Sequence, residues 1–313
     1  MNTTPSSDHP HVEIARPVRA TGERALVLGG GGSAGNAWLI GVVAGLYDAE
    51  VDVTQAELVI GTSAGSTAAV QITGASPSQL LADIVSAVPQ QPPGPIGSDR
   101  GRVPPGPSVD HMRRTGEIIA AADSPADMRR RMGAGALDLD ARSDGSWSTR
   151  WRATTAARLP SQQWPDRTVL IPAVDARTGE PVVFDRHCGV DLVDAVAAST
   201  SSGPPYSIGD NRYIDGGYRR NENADLAAGY GRVLVLSPLG GRTRHPMAWG
   251  MQLAAQVDEL RAGGSRVETI LPDSSSLEAF GSNLMDPSTR TPAGRAGYDQ
   301  GQALAEWLTE FWS

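Results

Sequence analysis

The 313-residue chain contains no lysine, since its 27 permanently cationic side chains are all arginines. Chemistry that depends on a lysine amine, such as a Schiff base or a lysine general base, is therefore excluded. Positive charge is also in deficit, because 35 acidic side chains give a net charge of −8. No basic surplus favours an acidic polymer as partner, and we expect no nucleic-acid binding.

Cysteine and long apolar runs are scarce as well. Cys188 is the only cysteine, which excludes an intrachain disulfide and a cysteine-based zinc site. The most apolar stretch, residues 25–46, is interrupted by a glycine run, Ser33 and Asn36. It therefore predicts a strand, a loop and a helix rather than a membrane span. We expect a cytoplasmic location, and peripheral contact with a membrane stays open.

Composition predicts one globular domain preceded by a tail. With 40% hydrophobic and 20% charged residues, the chain is ordinary for a globular protein. Residues 1–22 are polar, contain proline and lack an apolar core, so we expect a flexible tail rather than a secretory signal. We expect residues 23–313 to form a single domain, with a Pro- and Gly-rich loop and a helical insert at residues 89–165.

The most informative stretch is the Gly-x-Ser-x-Gly sequence at residues 61–65, which follows the apolar run Leu58-Val59-Ile60. Small residues come next, so the pattern predicts a strand, a sharp turn and a helix with Ser63 at the tip. Gly61 and Gly65 leave room where a Cβ would crowd the neighbouring strand and helix. A serine needs a nearby base to act as a nucleophile. The motif alone fits either a nucleophile or a plain Gly/Ser turn.

A second glycine-rich loop, residues 29–35, lies between a predicted strand at residues 24–28 and a predicted helix. Leu39, Val42, Val43 and Leu46 share one face of that helix. The strand-helix-strand order predicts two parallel strands with a right-handed crossover. Both strands then end at the same edge of the sheet, so the glycine loop and Ser63 should meet there.

Four interpretations of the glycine loop stay open at this point. Gly30-x-Gly32-x-x-Gly35 matches a dinucleotide fingerprint, but the second strand lacks the acidic residue that would hold a ribose. A phosphate-binding loop would end in Gly-Lys-Ser/Thr, which is missing here. Consecutive glycines also let several backbone N–H groups converge on one point, as in an oxyanion hole. A glycine loop without a chemical role is the fourth.

The rest of the chain predicts further strands and helices around an irregular segment. Residues 89–107 are dense in Pro and Gly, and either a flap over Ser63 or a plain surface loop fits them. Strands are predicted at residues 167–174, 181–184, 207–208, 212–214, 233–236 and 266–271. Helices are predicted at residues 77–88, 109–122, 125–132, 191–198 and 248–262, with a helical turn at 223–228 and a C-terminal helix.

Two kinds of base could serve Ser63. The five histidines are His9, His11, His111, His187 and His245, and the order Ser63, Asp215, His245 matches that of α/β-hydrolases. Alternatively, Asp215 ends a predicted strand before Gly216 and Gly217, where its carboxylate could take the serine proton directly. Taken alone, the Asp-Gly-Gly sequence is more typical of a turn that only caps a strand.

Together, the motifs at residues 30–35, 61–65 and 215–217 resemble the patatin-like phospholipase family, and residues 193–199 are similar to its bacterial members. The resemblance covers about residues 24–240. It implies an α/β fold of three α/β/α layers, with a mainly parallel central sheet and a helical insert. The motif glycines would then be Gly30, Gly35, Gly61, Gly65, Gly216 and Gly217.

The resemblance also implies a Ser-Asp dyad, with Ser63 as nucleophile and Asp215 as base. Gly31, Gly32 and Ser33 would form the oxyanion hole, without a metal or organic cofactor. Family members hydrolyse acyl esters, so the implied partner is a lipid or phospholipid ester, with a transient membrane surface left open.

This chain departs from the family pattern at Ala34, where the family usually has Arg or Lys. That departure keeps a non-catalytic lipid- or protein-binding module on the same fold as an alternative. A hydrolase that uses His245 or His187 is a third hypothesis.

Overall fold

The computed structural model describes residues 22–87 and 107–313. The predicted tail, apart from Gly22, and the predicted irregular segment, apart from residue 107, therefore lie outside the described residues, and Gly22 is the first residue of a strand. The strands are β1 (Gly22–Leu28), β2 (Leu58–Gly61), β3 (Thr168–Asp175), β4 (Pro181–Phe184), β5 (Tyr206–Ile208), β6 (Asn211–Asp215), β7 (Tyr230–Leu236) and β8 (Arg266–Ile270). The helices are α1 (Gly32–Asp48), α2 (Ala64–Gly74), α3 (Pro77–Ser86), α4 (Pro107–Ala121), α5 (Pro125–Asp140), α6 (Trp147–Ala156), α7 (Leu192–Ser199), α8 (Leu253–Ala262), α9 (Ser274–Phe280) and α10 (Arg290–Trp312).

One sheet runs through the described part of the chain in the order β5-β6-β3-β2-β1-β7-β8, and β4 pairs with β3. The five adjacent strands β3, β2, β1, β7 and β8 are parallel to one another. In contrast, β4 and β6 are antiparallel to β3. The predicted parallel pair of β1 and β2 is confirmed, with Leu28 opposite Gly61. The segments at residues 175–180 and 209–211 are turn sequences between predicted strands, which predicts two hairpins. Both are confirmed, because β3 pairs with β4 and β5 pairs with β6 in antiparallel fashion.

Helices cover both faces of the sheet, which gives the three-layer α/β/α fold. Side chains alternate along each strand, so Leu26 and Leu28 join a buried cluster with α1, α2, α7 and α10. Ala25 and Val27 point to the other face, where they join the apolar side of α8. The helices α4, α5 and α6 lie between α3 and β3 in the sequence, within the predicted insert. No helix in the described ranges is long and apolar enough to cross a membrane.

Helix α1 is buried on all sides from Ala34 to Leu46, because α10 lies across its outer face. The four-residue spacing of Gly41 and Gly45 predicts that α1 lies close on the sheet at these glycines, and this prediction is wrong. A Cβ at Gly41 would stand 2.1 Å from the carbonyl oxygen of Gly294, and one at Gly45 would stand 2.2 Å from that of Tyr298. Both glycines therefore face α10, where they allow backbone to pack on backbone.

Three other boundaries and faces differ from the expectations. The helix predicted from residue 248 begins only at Leu253, because Gly250 takes a left-handed φ of 64° and ends a short turn. Helix α5 continues to Asp140, beyond the predicted residue 132. On α10, the spacing of Leu304, Trp307, Leu308 and Phe311 predicts one apolar face, but Trp307 is exposed and Trp312 is buried instead.

Candidate active site

Ser63 occupies a strained turn between β2 and α2. Its backbone has φ 52° and ψ −119°, a conformation that a residue with a side chain rarely adopts. A Cβ at Gly65 would stand 2.0 Å from the carbonyl oxygen of Leu28, and one at Gly61 would stand 2.5 Å from that of Gly65. The turn therefore requires glycine on both sides, as the sequence predicts. This geometry lifts the Ser63 side chain clear of the sheet.

Two hydrogen bonds with side chains hold the Ser63 backbone, besides those that its carbonyl oxygen accepts from backbone N–H groups of α2. Its N–H donates to Oγ of Ser199 at 3.0 Å, and its carbonyl oxygen accepts from Oγ of Ser66 at 2.7 Å. Ser199 ends α7 and is completely buried. Since a strained backbone persists only where its surroundings hold it, Ser199 is part of the site, although no sequence argument singled out its hydroxyl.

Asp215 reaches Ser63 because β3 is longer than β2. Ile60 of β2 pairs with Leu170, whereas Ala173, three residues further along β3, pairs with Asp215. The antiparallel strand β6 therefore enters from beyond the end of β2 and stops beside the Ser63 turn. Oγ of Ser63 donates to Oδ2 of Asp215 at 2.7 Å. The structure thus brings together two side chains that lie 152 residues apart.

The Asp215 carboxylate is buried, with only 8% of the residue exposed. Its second oxygen, Oδ1, accepts from the N–H of Gly217 at 2.8 Å. Burial raises the pKa of Asp215 to about 6, although the hydrogen bonds from Gly217 and Ser63 oppose that rise. A carboxylate of this basicity is a stronger proton acceptor than an exposed one and remains ionised at neutral pH.

The glycine loop passes directly beside Ser63. A Cβ at Gly30 would stand 3.5 Å from the Cβ of Ser63, and the N–H of Gly30 donates to the carbonyl oxygen of Asn221. Within the described residues, the N–H groups of Gly31, Gly32 and Ser33 have no acceptor. They lie at the amino end of α1, where unpaired N–H groups and the helix dipole favour a negative charge. The loop can therefore donate to an anion near Ser63.

Close contacts with neighbouring segments explain the other glycines of the glycine loop and of the Asp215 turn. A Cβ at Gly31 would stand 2.5 Å from Cβ of Pro238, and one at Gly35 would stand 2.9 Å from the same atom. A Cβ at Gly216 would stand 2.2 Å from the carbonyl oxygen of Pro172. Gly217 instead supplies the N–H that holds Asp215. Residues with a side chain would displace the loop or the Asp215 turn from these neighbours.

A buried polar segment, residues 221–223, joins the three motifs. Nδ2 of Asn223 donates to Oγ1 of Thr62 at 3.0 Å and to the carbonyl oxygen of Gly216 at 3.2 Å. The carbonyl oxygen of Asn221 accepts from the glycine loop, as described above. The Glu222 carboxylate is buried and accepts from three side chains, those of Asn221, Ser237 and Gln256. In sequence this segment resembles a solvated loop, so no local signal predicts its role.

None of the histidines in the described ranges hydrogen-bonds to Ser63 or Asp215. The ring of His245 contacts Oγ1 of Thr243 at 2.8 Å and stacks on Trp249, and burial lowers its pKa to about 4. His9 and His11 lie outside the described residues. In residues 22–87 and 107–313, no group of three or more His, Cys, Asp or Glu side chains could hold a metal ion.

Comparison with known proteins adds a family and two similar structures. The family model for patatin-like phospholipase matches residues 26–228. The crystal structure of VipD from Legionella pneumophila is 13% identical with a TM-score of 0.41, over 92% of this chain and 67% of that one. The type III effector protein ExoU is 14% identical with a TM-score of 0.38, over 92% of this chain and 53% of that one. A search of curated proteins by sequence gives no match.

Proposed function

The chain belongs to the patatin-like phospholipase family, and on that premise we propose that it is a serine acyl hydrolase of lipid or phospholipid esters. The observation that carries the proposal is the 2.7 Å hydrogen bond from Oγ of Ser63 to the buried Asp215 carboxylate. A nucleophile within hydrogen-bond reach of its base, next to unpaired N–H groups, has the geometry that acyl transfer needs.

In the first half-reaction, Asp215 accepts the hydroxyl proton while Oγ of Ser63 attacks the ester carbonyl carbon. The carbonyl oxygen becomes an oxyanion, to which the N–H groups of Gly31, Gly32 and Ser33 donate. When the intermediate collapses, the ester C–O bond breaks and the leaving alkoxide takes the proton from Asp215. The acyl group then remains on Ser63 as an ester.

In the second half-reaction, a water molecule gives its proton to Asp215 and attacks the acyl carbon. The same N–H groups hold the second oxyanion, and the proton returns to Oγ of Ser63 as the fatty acid leaves. A base with a pKa of about 6 suits both steps, because it accepts a proton at neutral pH and releases it readily.

One exposed apolar side chain beside the glycine loop, that of Met285, supports an acyl-chain substrate. Met285 is 59% exposed, and its sulfur would stand 2.9 Å from a Cβ placed at Gly32. A long acyl chain bound to the site would cover such a side chain and release ordered water from it. The proposal includes a lipid ester presented at a membrane surface, with the protein in the cytoplasm.

A fluorophosphonate probe and ester hydrolysis test the proposal together. The probe should label Ser63, and both Ser63→Ala and Asp215→Asn should abolish hydrolysis of p-nitrophenyl butyrate and of phospholipid vesicles. Asp52→Asn is the matched control, because the Asp52 carboxylate also accepts hydrogen bonds from a hydroxyl and a backbone N–H, both of Thr54. Asp52 precedes β2, whereas Ser63 follows it. His245→Ala and His187→Ala should also retain full turnover.

Two results would contradict the dyad. Undiminished hydrolysis by Asp215→Asn would remove Asp215 as the base, and loss of turnover in a histidine variant would favour the third hypothesis. A protein that retains bound lipid but resists the probe would instead be the non-catalytic module.

A further inference from the structure

Arg290, the first residue of α10, reaches the first turn of α1. Its Nη1 donates to the carbonyl oxygen of Ser33 at 3.1 Å, and its Nη2 donates to Oδ1 of Asn36 at 3.1 Å. No carboxylate of the described chain forms a salt bridge with Arg290. The two arms of the planar guanidinium are thus directed at two neutral acceptors next to the glycine loop.

The peptide group between Ser33 and Ala34 is held at both ends. Arg290 binds its carbonyl oxygen, while its N–H donates to the carbonyl oxygen of Leu284 at 3.0 Å. Because a peptide group is planar and rigid, these two hydrogen bonds fix its orientation. The N–H groups of Gly32 and Ser33 immediately precede this peptide, so their direction depends on it.

Asn36 extends the connection from Arg290 to the nucleophile. Its Nδ2 donates to the carbonyl oxygen of Ala64 at 3.4 Å and to Oε1 of Gln71 at 3.0 Å, and both residues belong to α2. Ala64 follows Ser63 directly. Arg290 therefore holds a side chain that ties the helix after the glycine loop to the helix after the nucleophile.

We propose that Arg290 is a positioning residue, which keeps the N–H groups of Gly31, Gly32 and Ser33 directed at the oxyanion that forms beside Ser63. This inference rests on the proposed hydrolase function. It also assigns a role in the site to α10, which lies outside the residues that the family model matches. Arg290 does not touch the substrate but acts through the loop.

The first test compares Arg290→Met with Arg167→Met. Arg167 is a matched control, because it is also partly buried and donates to a backbone oxygen, that of Ala56, and to an amide side chain, that of Gln55. It does so at the amino end of β2, far from Ser63. On p-nitrophenyl butyrate, Arg290→Met should lower kcat by about 10- to 100-fold with little change in KM, since a misdirected donor weakens only the transition state.

Conservative substitutions separate positioning from folding. Arg290→Lys keeps the charge but not the two-armed geometry, so its kcat should lie between those of the wild type and Arg290→Met. Arg167→Met should match wild-type kcat. Wild-type kcat in a folded Arg290→Met would overturn the inference. So would failure of both Arg290→Met and Arg290→Lys to fold while Arg167→Met folds, because Arg290 would then serve the fold and not the loop.

Hydrogen exchange of residues 29–36 supplies a readout that does not need activity. Exchange in this peptide should accelerate in Arg290→Met, because the amide of Ala34 loses its fixed orientation, and should not change in Arg167→Met. If the wild-type protein hydrolyses no ester, the proposed function fails while the exchange result still decides whether Arg290 holds the loop. Unchanged exchange together with unchanged kcat would refute the positioning role alone.

Discussion

Replacing Asp215 by asparagine should change the pH dependence of folding stability as well as activity. The carboxyl group is buried, and its pKa rises from 3.8 to about 6 because burial disfavours its charged form. One pKa unit corresponds to about 1.4 kcal/mol, so the shift is worth on the order of 3 kcal/mol. The protein therefore carries a destabilising charge at neutral pH that asparagine would remove.

The direction in which stability changes with pH follows from the number of protons that Asp215 binds in the folded and unfolded states. Between pH 4 and pH 6 the folded state keeps a proton on Asp215, whereas the unfolded state has released it. The free energy of unfolding should then fall by about 1.4 kcal/mol per pH unit in this interval, from this residue alone, and level off above pH 6. The stability that protonated Asp215 contributes is complete below its pKa in the unfolded chain. It is lost as the pH rises through the pKa that Asp215 has in the folded protein.

Urea unfolding at half-unit steps from pH 4 to pH 7.5 measures the effect. The free energy of unfolding of the wild type, minus that of Asp215→Asn, should decrease by on the order of 3 kcal/mol across the range. Ser63→Ala provides a second arm, because the Ser63 hydrogen bond lowers the pKa of Asp215. In that variant the decrease should extend to higher pH. If the free energy of unfolding of the wild type, minus that of Asp215→Asn, stays constant or grows with pH, the raised pKa of Asp215 would be refuted.

Three further outcomes are expected. The kcat/KM of p-nitrophenyl butyrate hydrolysis should rise with pH and level off above about 6, because Asp215 must be ionised to accept the proton; a profile that falls over this range would exclude it as the base. Gly65→Ala should abolish soluble expression or activity, since its Cβ would stand 2.0 Å from the carbonyl oxygen of Leu28. In contrast, a Cβ at Gly135 in α5 would make only an ordinary contact, at 3.7 Å from Cδ1 of Ile118. Gly135→Ala should therefore raise the free energy of unfolding by about 0.5–1 kcal/mol in thermal unfolding. Ser199→Ala should lower kcat by about 10-fold by releasing the Ser63 backbone. Ser201→Ala should not, because its hydroxyl donates to the carbonyl oxygen of Ala197 and not to Ser63. Equal effects of the two substitutions on kcat would contradict a specific role for Ser199.

The turns of the site could be predicted because each is encoded in a few consecutive residues. An apolar strand that stops at Gly61 and a strand that stops at Asp215 mark positions at a sheet edge, and the glycines show where the backbone must approach a neighbour. The parallel order of β1 and β2 followed from the helix between them. The distance between Ser63 and Asp215 did not, because it depends on how far β3 extends beyond β2.

The residues that hold the site in place gave no comparable signal. Ser199 contacts Ser63 from 136 residues away, and Arg290 contacts Ser33 from 257 residues away. Such partners are set by the packing of whole elements, so neither periodicity nor a short motif reveals them. Gly41 and Gly45 illustrate the same limit, since their spacing shows that they share a helix face but not that α10 covers it.

The placement of β7, β8 and α10 has a consequence for dividing the chain. The family match ends at residue 228, yet β1 pairs with β7 along six positions, and α10 lies on the glycines of α1. A fragment truncated at residue 228 would present an unpaired apolar strand and a bare helix face to water, and exposed strands of this kind aggregate. We therefore expect this fragment to be insoluble under conditions in which the full chain is soluble. The smallest unit that folds on its own is then longer than the segment that the family model matches.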